Sequence, residues 1–143
     1  REGRPLSIYG DGRQTRDFVH VADLAELIVW NLQNPPQPSA PRILNCGTGV
    51  RTSLTQLAEF SAAAAPLGAS PIEYVDVHRA GDIEHACADL SRLRALRAPL
   101  PTRTSAQAVA DFVVSSWAVD GPPSSLWDDA LDELSRRGLA GES

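Results

Sequence analysis

The chain lacks lysine and methionine altogether, so its thirteen basic residues are all arginines. Because residue 1 is not methionine, we expect the 143 residues to be a cut or partial form of a longer protein. No apolar run approaches the roughly 20 residues that a membrane-spanning helix needs, and the first residues do not resemble a secretory signal. We therefore expect a cytoplasmic protein with no membrane segment.

Cysteine is also scarce, and the two present, Cys46 and Cys87, stand apart in the sequence. We expect both to be reduced, buried thiols. His85 and Cys87 suggest a metal-binding pair, but a zinc site needs further ligands at regular spacing, so no metal is expected. The formal net charge of −5 argues against a nucleic-acid partner.

A glycine turn with flanking arginines organises the first part of the chain. A short apolar strand, Leu6 to Tyr9, runs into Gly10-Asp11-Gly12, and a turn this tight favours positive φ and therefore glycine. Arg13 and Arg16 follow the turn, before a second apolar, strand-like stretch from Phe18 to Val21. Such a loop can hold an anion, although most surface arginines are only solvated.

Caps and periodicity place the remaining elements. Asp23 has the character of a helix N-cap, Ser53 opens a capping box with Gln56, and Ser105 caps a later helix. The expected helices are 23–34, 53–65, 90–96, 105–117 and 125–138. The expected short strands are 6–9, 42–46 and 72–77. Strands that alternate with helices indicate an α/β fold, but three short strands make a poor independent sheet.

Three motifs occur in a fixed order. The first runs from Ser7 through Gly10-Asp11-Gly12 and Thr15-Arg16-Asp17-Phe18 to Asp23. The second is Asn45-Cys46-Gly47-Thr48-Gly49, and the third is Arg79-Ala80-Gly81-Asp82 with Ala88-Asp89. Together they resemble the C-terminal half of the NAD-dependent epimerase/dehydratase family, the extended short-chain dehydrogenases typified by UDP-glucose 4-epimerase. The resemblance covers residues 4–118.

The resemblance implies a Rossmann-like α/β fold of which this chain would be the C-terminal, substrate-binding part. Residues 1–118 would form that part, residues 119–124 a linker, and residues 125–143 an appended amphipathic helix and tail. The implied partners are a nucleotide-sugar substrate, an N-terminal Rossmann half in cis or in trans, and a second copy in a homodimer.

The hydride chemistry of the family requires motifs that this chain lacks. No Gly-x-x-Gly-x-x-Gly run is present to seat a dinucleotide pyrophosphate on a helix N-terminus. Without lysine, the family's Tyr-x-x-x-Lys pair cannot form, so neither Tyr9 nor Tyr74 is the catalytic tyrosine. We expect no catalytic or cofactor-binding residue here, and NAD would be bound by the N-terminal half.

The resemblance assigns the substrate diphosphate to Arg16 and Arg79. Arginine suits a diphosphate because its planar guanidinium donates two parallel hydrogen bonds and stays charged. The alternative for Arg16 is an ion pair with Asp17 or Asp23.

Asp82, Ser7 and Tyr9 complete the expected substrate site. By the resemblance, Asp82 accepts hydrogen bonds from ribose hydroxyls; alternatively it is only a turn residue after Gly81. Ser7 to Tyr9 align with the strand whose main chain contacts the base, and the alternative there is plain sheet pairing.

Other motif residues favour structural roles. Asn45, Gly47 and Gly49 are expected to shape a turn, Asp89 to cap a helix, and His20 to be a core histidine with satisfied hydrogen bonds.

Two functions remain open from the sequence. The first is the substrate-binding portion of an NAD-dependent nucleotide-sugar epimerase or dehydratase. The second is a non-catalytic remnant that binds a nucleotide sugar or another protein. Ala86 stands where UDP-glucose 4-epimerase has an aromatic residue that reaches the sugar, so the resemblance does not identify the sugar.

Overall fold

The computed structural model describes residues 4–66, 68, 70–76, 78–79, 81–119, 125–138 and 140–141. Strands and helices are interspersed along it, in agreement with the α/β class that the sequence predicts, but they do not alternate strictly. In chain order the elements are β1 (Leu6–Tyr9), β2 (Thr15–Arg16), α1 (Val21–Gln33), β3 (Thr52–Ser53), α2 (Leu54–Ala64), β4 (Ile72–Val75), β5 (His78–Arg79), α3 (Ser91–Ala95), α4 (Ser105–Trp117), α5 (Ser125–Arg136) and β6 (Ala140–Gly141).

The strands pair two by two. β1 and β4 are parallel, from Leu6 opposite Ile72 to Tyr9 opposite Val75, so the chain between them must cross over, and α1 and α2 lie in that crossover. β2 pairs antiparallel with β3, and β5 pairs antiparallel with β6. The predicted strand at 6–9 is confirmed. The predicted strand at 72–77 ends at Val75, and position 77 lies outside the described residues.

Two groups of side chains form the interior. In the first, Leu27 of α1 packs with Leu90, Leu93 and Ala98 around α3. In the second, α2 packs against both β1 and α4, and Ile8, Ala58 and Val109 are the buried apolar side chains of those elements. The described residues include no helix long and apolar enough to cross a bilayer.

The predicted buried strand at 42–46 is wrong. These residues form no strand, and Ile43 is 73% exposed. Exposure nevertheless alternates along the segment, with Leu44 and Cys46 turned towards the α1–α3 core. The sequence therefore carries the period of a strand, but none of the described strands lies beside it to supply a hydrogen-bonded ladder.

The predicted start of α1 is also wrong. The helix begins at Val21, so residues 18–21 form no strand, and His20 rather than Asp23 is the N-cap. The Nδ1 atom of His20 accepts from the Ala22 N–H at 3.0 Å, and Nε2 lies 3.0 Å from Asp111 Oδ2. Both ring nitrogens are thus satisfied, as the sequence predicts.

Asp23 instead joins α1 to the loop before α4. It is 4% exposed, and its carboxylate accepts from the Arg103 guanidinium at 2.6 Å and from the Arg103 backbone N–H at 3.2 Å. Thr104, not Ser105, caps α4 through a capping box with Gln107. An acidic residue near the start of a helix predicts an N-cap, but the Asp23 carboxylate binds Arg103, which is 80 residues away.

Candidate functional site

The glycine turn after β1 has the backbone geometry that the sequence predicts. Gly10 and Gly12 adopt φ values of 77° and 71°. A Cβ at Gly12 would lie 3.0 Å from the Tyr74 ring and would also meet the Thr55 hydroxyl, so glycine is required for space as well as for conformation. The first residues of α2 fix the turn, since Leu54 N–H donates to the Gln14 carbonyl at 3.0 Å.

The structure brings two of the predicted site residues together. The Nη2 atom of Arg16 donates to Asp82 Oδ1 at 2.8 Å. Its Nη1 atom donates to the carbonyl of Thr15 at 2.9 Å, which fixes the plane of the guanidinium. The partner of Arg16 is therefore Asp82, and the alternative ion pair with Asp17 or Asp23 is wrong. The Arg16 side chain is 28% exposed, so it remains accessible to an anion.

Backbone pairing explains how Asp82 reaches Arg16 from 66 residues away. Thr15 N–H donates to the Glu84 carbonyl at 2.9 Å, and Ala86 N–H donates to the Thr15 carbonyl at 3.0 Å. Residues 84–86 thus run beside β2, and Gly81 turns the chain into this segment with φ of 79°.

Arg79 lies in β5, where its backbone is paired with Ala140 of β6. Its side chain lies outside what the structure describes. The assignment of Arg79 to the diphosphate therefore stays a prediction.

A cavity of about 520 Å³ opens along β1. Three predicted site residues, Ser7, Tyr9 and Asp82, line it. The Ser7 hydroxyl donates to Glu73 at 2.5 Å, so its hydrogen is already engaged within the protein. The other lining residues are Leu6, Ile8, Gln14, Leu54, Leu57, Ala58, Ser61 and Glu84. An apolar cleft with a few converging polar groups is typical of a small-molecule site.

Gln14 is a lining residue that sequence reasoning missed. Its Nε2 atom donates to the Tyr9 carbonyl at 3.4 Å. The available signal was its position two residues before Arg16 in an extended segment, which places the two side chains on one side of the strand.

Asp17 is the second residue that the sequence analysis undervalued. Its Oδ1 atom accepts from both the N–H and the hydroxyl of Thr48 at 2.7 Å, and its Oδ2 atom accepts from Gly49 N–H at 2.9 Å and Ala88 N–H at 3.1 Å. One carboxylate thus joins all three sequence motifs. The motif Thr-Arg-Asp-Phe signalled the residue, but not its partners.

The hydrogen bonds from Thr48, Gly49 and Ala88 stabilise the negative charge on Asp17. Burial is the largest single influence and by itself raises the pKa of the carboxyl. The hydrogen bonds from the Thr48 side chain and from the backbones of Thr48, Gly49 and Ala88 together outweigh it, so the pKa is lowered.

Glycine in the second motif allows this arrangement. A Cβ on Gly47 would lie 2.5 Å from the Ala88 Cβ and would overlap the Asp17 carboxylate. Gly49 has φ of 73°. The geometry agrees with the expected turn-shaping role. Asp89 accepts from Ser91 N–H at 2.8 Å, but the N-cap of α3 is Leu90, so Asp89 is not the helix cap that the sequence predicts.

The two cysteines differ in environment. Cys46 is partly buried, and burial, with the nearby charges of Asp23 and Asp17, raises the pKa of its thiol. Cys87 is exposed, with Sγ 3.7 Å from Asp17 Oδ2, so the prediction that both thiols are buried is wrong for Cys87. Both are free thiols.

Comparison with known proteins agrees with the motifs. Residues 1–47, which contain the glycine turn, Arg16 and Asp17, match the model of the NAD dependent epimerase/dehydratase family. This chain belongs to the NAD-dependent epimerase/dehydratase family. A dTDP-L-rhamnose 4-epimerase of Burkholderia thailandensis is 37% identical over 91 residues, 64% of this chain and 24% of the relative. A probable UDP-glucuronate 4-epimerase of Rhizobium meliloti is 32% identical over 127 residues, 78% of this chain and 37% of the relative.

The α/β arrangement of this chain also occurs as part of a solved epimerase structure. The UDP-glucose-4-epimerase of Stenotrophomonas maltophila, with bound NAD and formylated UDP-arabinopyranose, superposes with a TM-score of 0.66. It is 26% identical, and the match covers 80% of this chain and 37% of that one. The chain spans between 24% and 37% of the length of the curated relatives it matches.

Proposed function

We propose that this chain is the C-terminal, nucleotide-sugar-binding portion of an NAD-dependent epimerase or dehydratase. The observation that carries the proposal is the Arg16–Asp82 pair beside the cavity along β1. In one place the arrangement offers a cation for a phosphate, a carboxylate for hydroxyls and an apolar cleft for a base. A phosphate group, ribose hydroxyls and a base are the three parts of a nucleoside diphosphate.

Each part of the ligand has a proposed contact. The guanidinium of Arg16 holds the diphosphate, with Arg79 as the second cation. Asp82 accepts from the ribose hydroxyls, and the main chain of Ser7 to Tyr9 borders the base. Two of the relatives are named for dTDP- and UDP-linked sugars, and a third, 39% identical over 90 residues, is named for an ADP-linked heptose. The names of the relatives therefore support a nucleoside diphosphate sugar as the ligand but do not fix its base.

The residues of this chain do not fit NAD. The positive-φ glycine turn at Gly10 and Gly12 leads from β1 into β2 rather than into a helix. The N–H groups of Leu54 and Thr55 at the start of α2 are already donated to the Gln14 and Gly12 carbonyls, so they are not open to a pyrophosphate. The sequence also has no lysine for the Tyr-x-x-x-Lys pair. In our proposal the cofactor and the catalytic pair belong to an N-terminal Rossmann half, and no hydride step is assigned to these residues.

An exposed apolar stripe on α1 supports a further protein partner. Val21 is 74%, Ile28 53% and Leu32 77% exposed, and their spacing places them on one side of the helix. Helices that carry such a stripe normally bury it. We propose that the Rossmann half, in cis or in trans, covers this stripe; a homodimer contact is the alternative occupant.

We retain the proposed division into residues 1–118, a linker at 119–124 and an appended segment at 125–143. The pairing of β5 with β6 supports the packing of this segment on its own domain rather than on another subunit. The second candidate function, a binding module without catalysis, is favoured by the missing lysine and glycine-rich fingerprint.

Calorimetric titration with UDP-glucose and dTDP-glucose tests the proposal. We expect saturable binding of at least one of them by the 143-residue chain. Arg79→Ala should weaken that binding by about tenfold, because one charge-assisted hydrogen bond contributes about 1.5–3 kcal/mol. Arg13→Ala is the matched control, since Arg13 is 88% exposed and pairs only with Asp11 among the described contacts. A folded chain that binds neither nucleotide sugar would reject the proposed function.

A further inference from the structure

The imidazole of His20 is held by both of its nitrogens. As the N-cap of α1, it accepts at Nδ1 from the Ala22 backbone N–H at 3.0 Å, and its Nε2 atom lies 3.0 Å from Asp111 Oδ2 on α4. The His20 side chain is 12% exposed and the Asp111 side chain 71%. One ring therefore joins the start of α1 to α4, and both residues line a cavity between α2 and α4.

These two partners define the protonation state of the ring. A backbone N–H can only donate, so Nδ1 of His20 carries no hydrogen in this arrangement. Nε2 then carries the one hydrogen of the neutral imidazole and donates it to the Asp111 carboxylate, which only accepts. The geometry is thus that of a neutral His20 with its hydrogen on Nε2.

Protonation of the ring removes the capping bond. A second hydrogen, on Nδ1, would face the Ala22 N–H, and two donors repel each other. The positive end of the α1 dipole lies at the same place and also disfavours a cation. The contact with Asp111, in contrast, gains an opposite charge. Because the two changes oppose each other, protonation exchanges one partner of the ring for the other.

Few charges compete for this ring. Among the described residues that line the cavity, Asp111 is the only charged side chain besides His20, since α2 contributes Leu57 and Ser61. On α1 itself the next charged group is Asp23, and Arg103 already pairs with it at 2.6 Å. The cap of α1 and the Asp111 carboxylate therefore decide between them where the ring is held.

We propose that His20 is a pH-operated latch between α1 and α4. The neutral ring caps α1, and the protonated ring releases the Ala22 N–H and is held by Asp111 alone. Histidine ordinarily changes its charge between about pH 5 and 8, so the exchange falls in the physiological range.

The latch acts on one end of the apolar stripe of α1. Val21 is the first residue of the helix and is 74% exposed. Releasing the cap loosens the first helical turn and with it the position of Val21. Docking of a protein on the stripe then depends on pH; this consequence, unlike the latch itself, rests on the proposed partner of the stripe.

Nuclear magnetic resonance of the labelled 143-residue chain tests the latch. At about pH 8, nitrogen-15 spectra of the imidazole should show the hydrogen of His20 on Nε2 and none on Nδ1. At about pH 5, the Ala22 amide should exchange with solvent about fivefold faster relative to its intrinsic rate, because one N-cap is lost. The Gln56 amide is the internal control, since it donates to the Ser53 hydroxyl at 3.1 Å and should keep its protection.

Two variants assign the pH dependence to this residue. His20→Asn removes the titrating group but keeps a good N-cap, so the Ala22 amide should stay protected at both pH values. His85→Asn is the matched control, because His85 is 41% exposed and lies in the segment beside β2, and it should retain the pH dependence of the wild type.

Each result decides the inference. A hydrogen on Nδ1 of His20 at about pH 8 overturns it in the wild-type chain alone, so a variant that fails to fold leaves the test intact. Equal protection of the Ala22 amide at both pH values also overturns it. An equal loss at Gln56 overturns it as well, because the whole chain would then open in acid. A His20→Asn chain with the wild-type pH dependence assigns the effect to another group. None of these measurements uses a nucleotide, so the proposed function is tested separately.

Discussion

Replacing Asp17 with asparagine is expected to lower the free energy of unfolding by about 3 kcal/mol. The substitution keeps the shape of the side chain but replaces one carboxylate oxygen with an amino group. If that group takes the place of Oδ2, it faces the N–H donors of Gly49 and Ala88. If it takes the place of Oδ1, it faces the N–H and the hydroxyl of Thr48. Either orientation sets donors against donors and leaves partly buried N–H groups without their acceptor.

Urea unfolding followed by circular dichroism measures this effect. Asp11→Asn is the matched control, because Asp11 is 63% exposed and its ion pair with Arg13 lies at the surface. We expect the control to change the free energy of unfolding by less than about 0.5 kcal/mol. An Asp17→Asn chain as stable as the control would contradict the role of Asp17 as the junction of the three motifs.

The wild type and Asp17→Asn are also expected to differ in acid sensitivity. The folded-state pKa of Asp17 is lowered, so its contribution is fully present above the unfolded-state pKa of about 3.9 and is lost as the pH falls through the folded-state value. Below about pH 5 the wild type should therefore lose stability more steeply than Asp17→Asn. The acid sensitivity that remains in the variant is expected from Asp23 and Asp89, whose pKa values are also lowered.

Arg16→Ala is expected to weaken nucleotide-sugar binding by about 30-fold, within the range of one charge-assisted hydrogen bond. Two effects act together. The diphosphate loses its cation, and the Asp82 carboxylate, no longer paired at 2.8 Å, repels the phosphates. This second effect makes the loss larger than the one expected for Arg79→Ala.

Arg16→Lys separates charge from shape in the same titration. Lysine keeps the positive charge but cannot donate to Asp82 and to the Thr15 carbonyl with one planar group, so we expect a loss between those of wild type and Arg16→Ala. Both variants should unfold at urea concentrations close to that of the wild type, because Arg16 and Asp82 are partly exposed. Unchanged affinity in a folded Arg16→Ala chain would exclude Arg16 from the site.

Several elements could be predicted from interactions between residues that are close together in the sequence. The capping box of Ser53 and Gln56 starts α2 as predicted, because both partners lie within one helical turn. The strand at Leu6–Tyr9 and its glycine turn were also predicted from local signals, a short apolar run followed by closely spaced glycines. The strand predicted at 42–46 failed because a strand also needs a neighbour, which the described residues do not supply.

The candidate site could be predicted only as far as single motifs allow. The sequence and its family resemblance named Arg16 and Asp82 separately, but their pairing depends on backbone contacts between β2 and residues 84–86. Asp17 was named only as part of a motif and as an alternative ion-pair partner, because its role comes from Thr48, 31 residues away. Gln14 was not named, because its place depends on the shape of a cavity. No periodicity or local cap encodes such contacts.

The most direct test of the central claim is a nitrogen-15 shift map of the labelled chain titrated with UDP-glucose. The largest shifts should fall on Gln14, Arg16, Gly81 and Asp82, around the cavity along β1. A second cavity of about 690 Å³ lies between α2 and α4 and is lined by Phe18, Val109 and Phe112, among others. Shifts confined to that cavity, or no saturable shifts from a folded chain, would contradict the account.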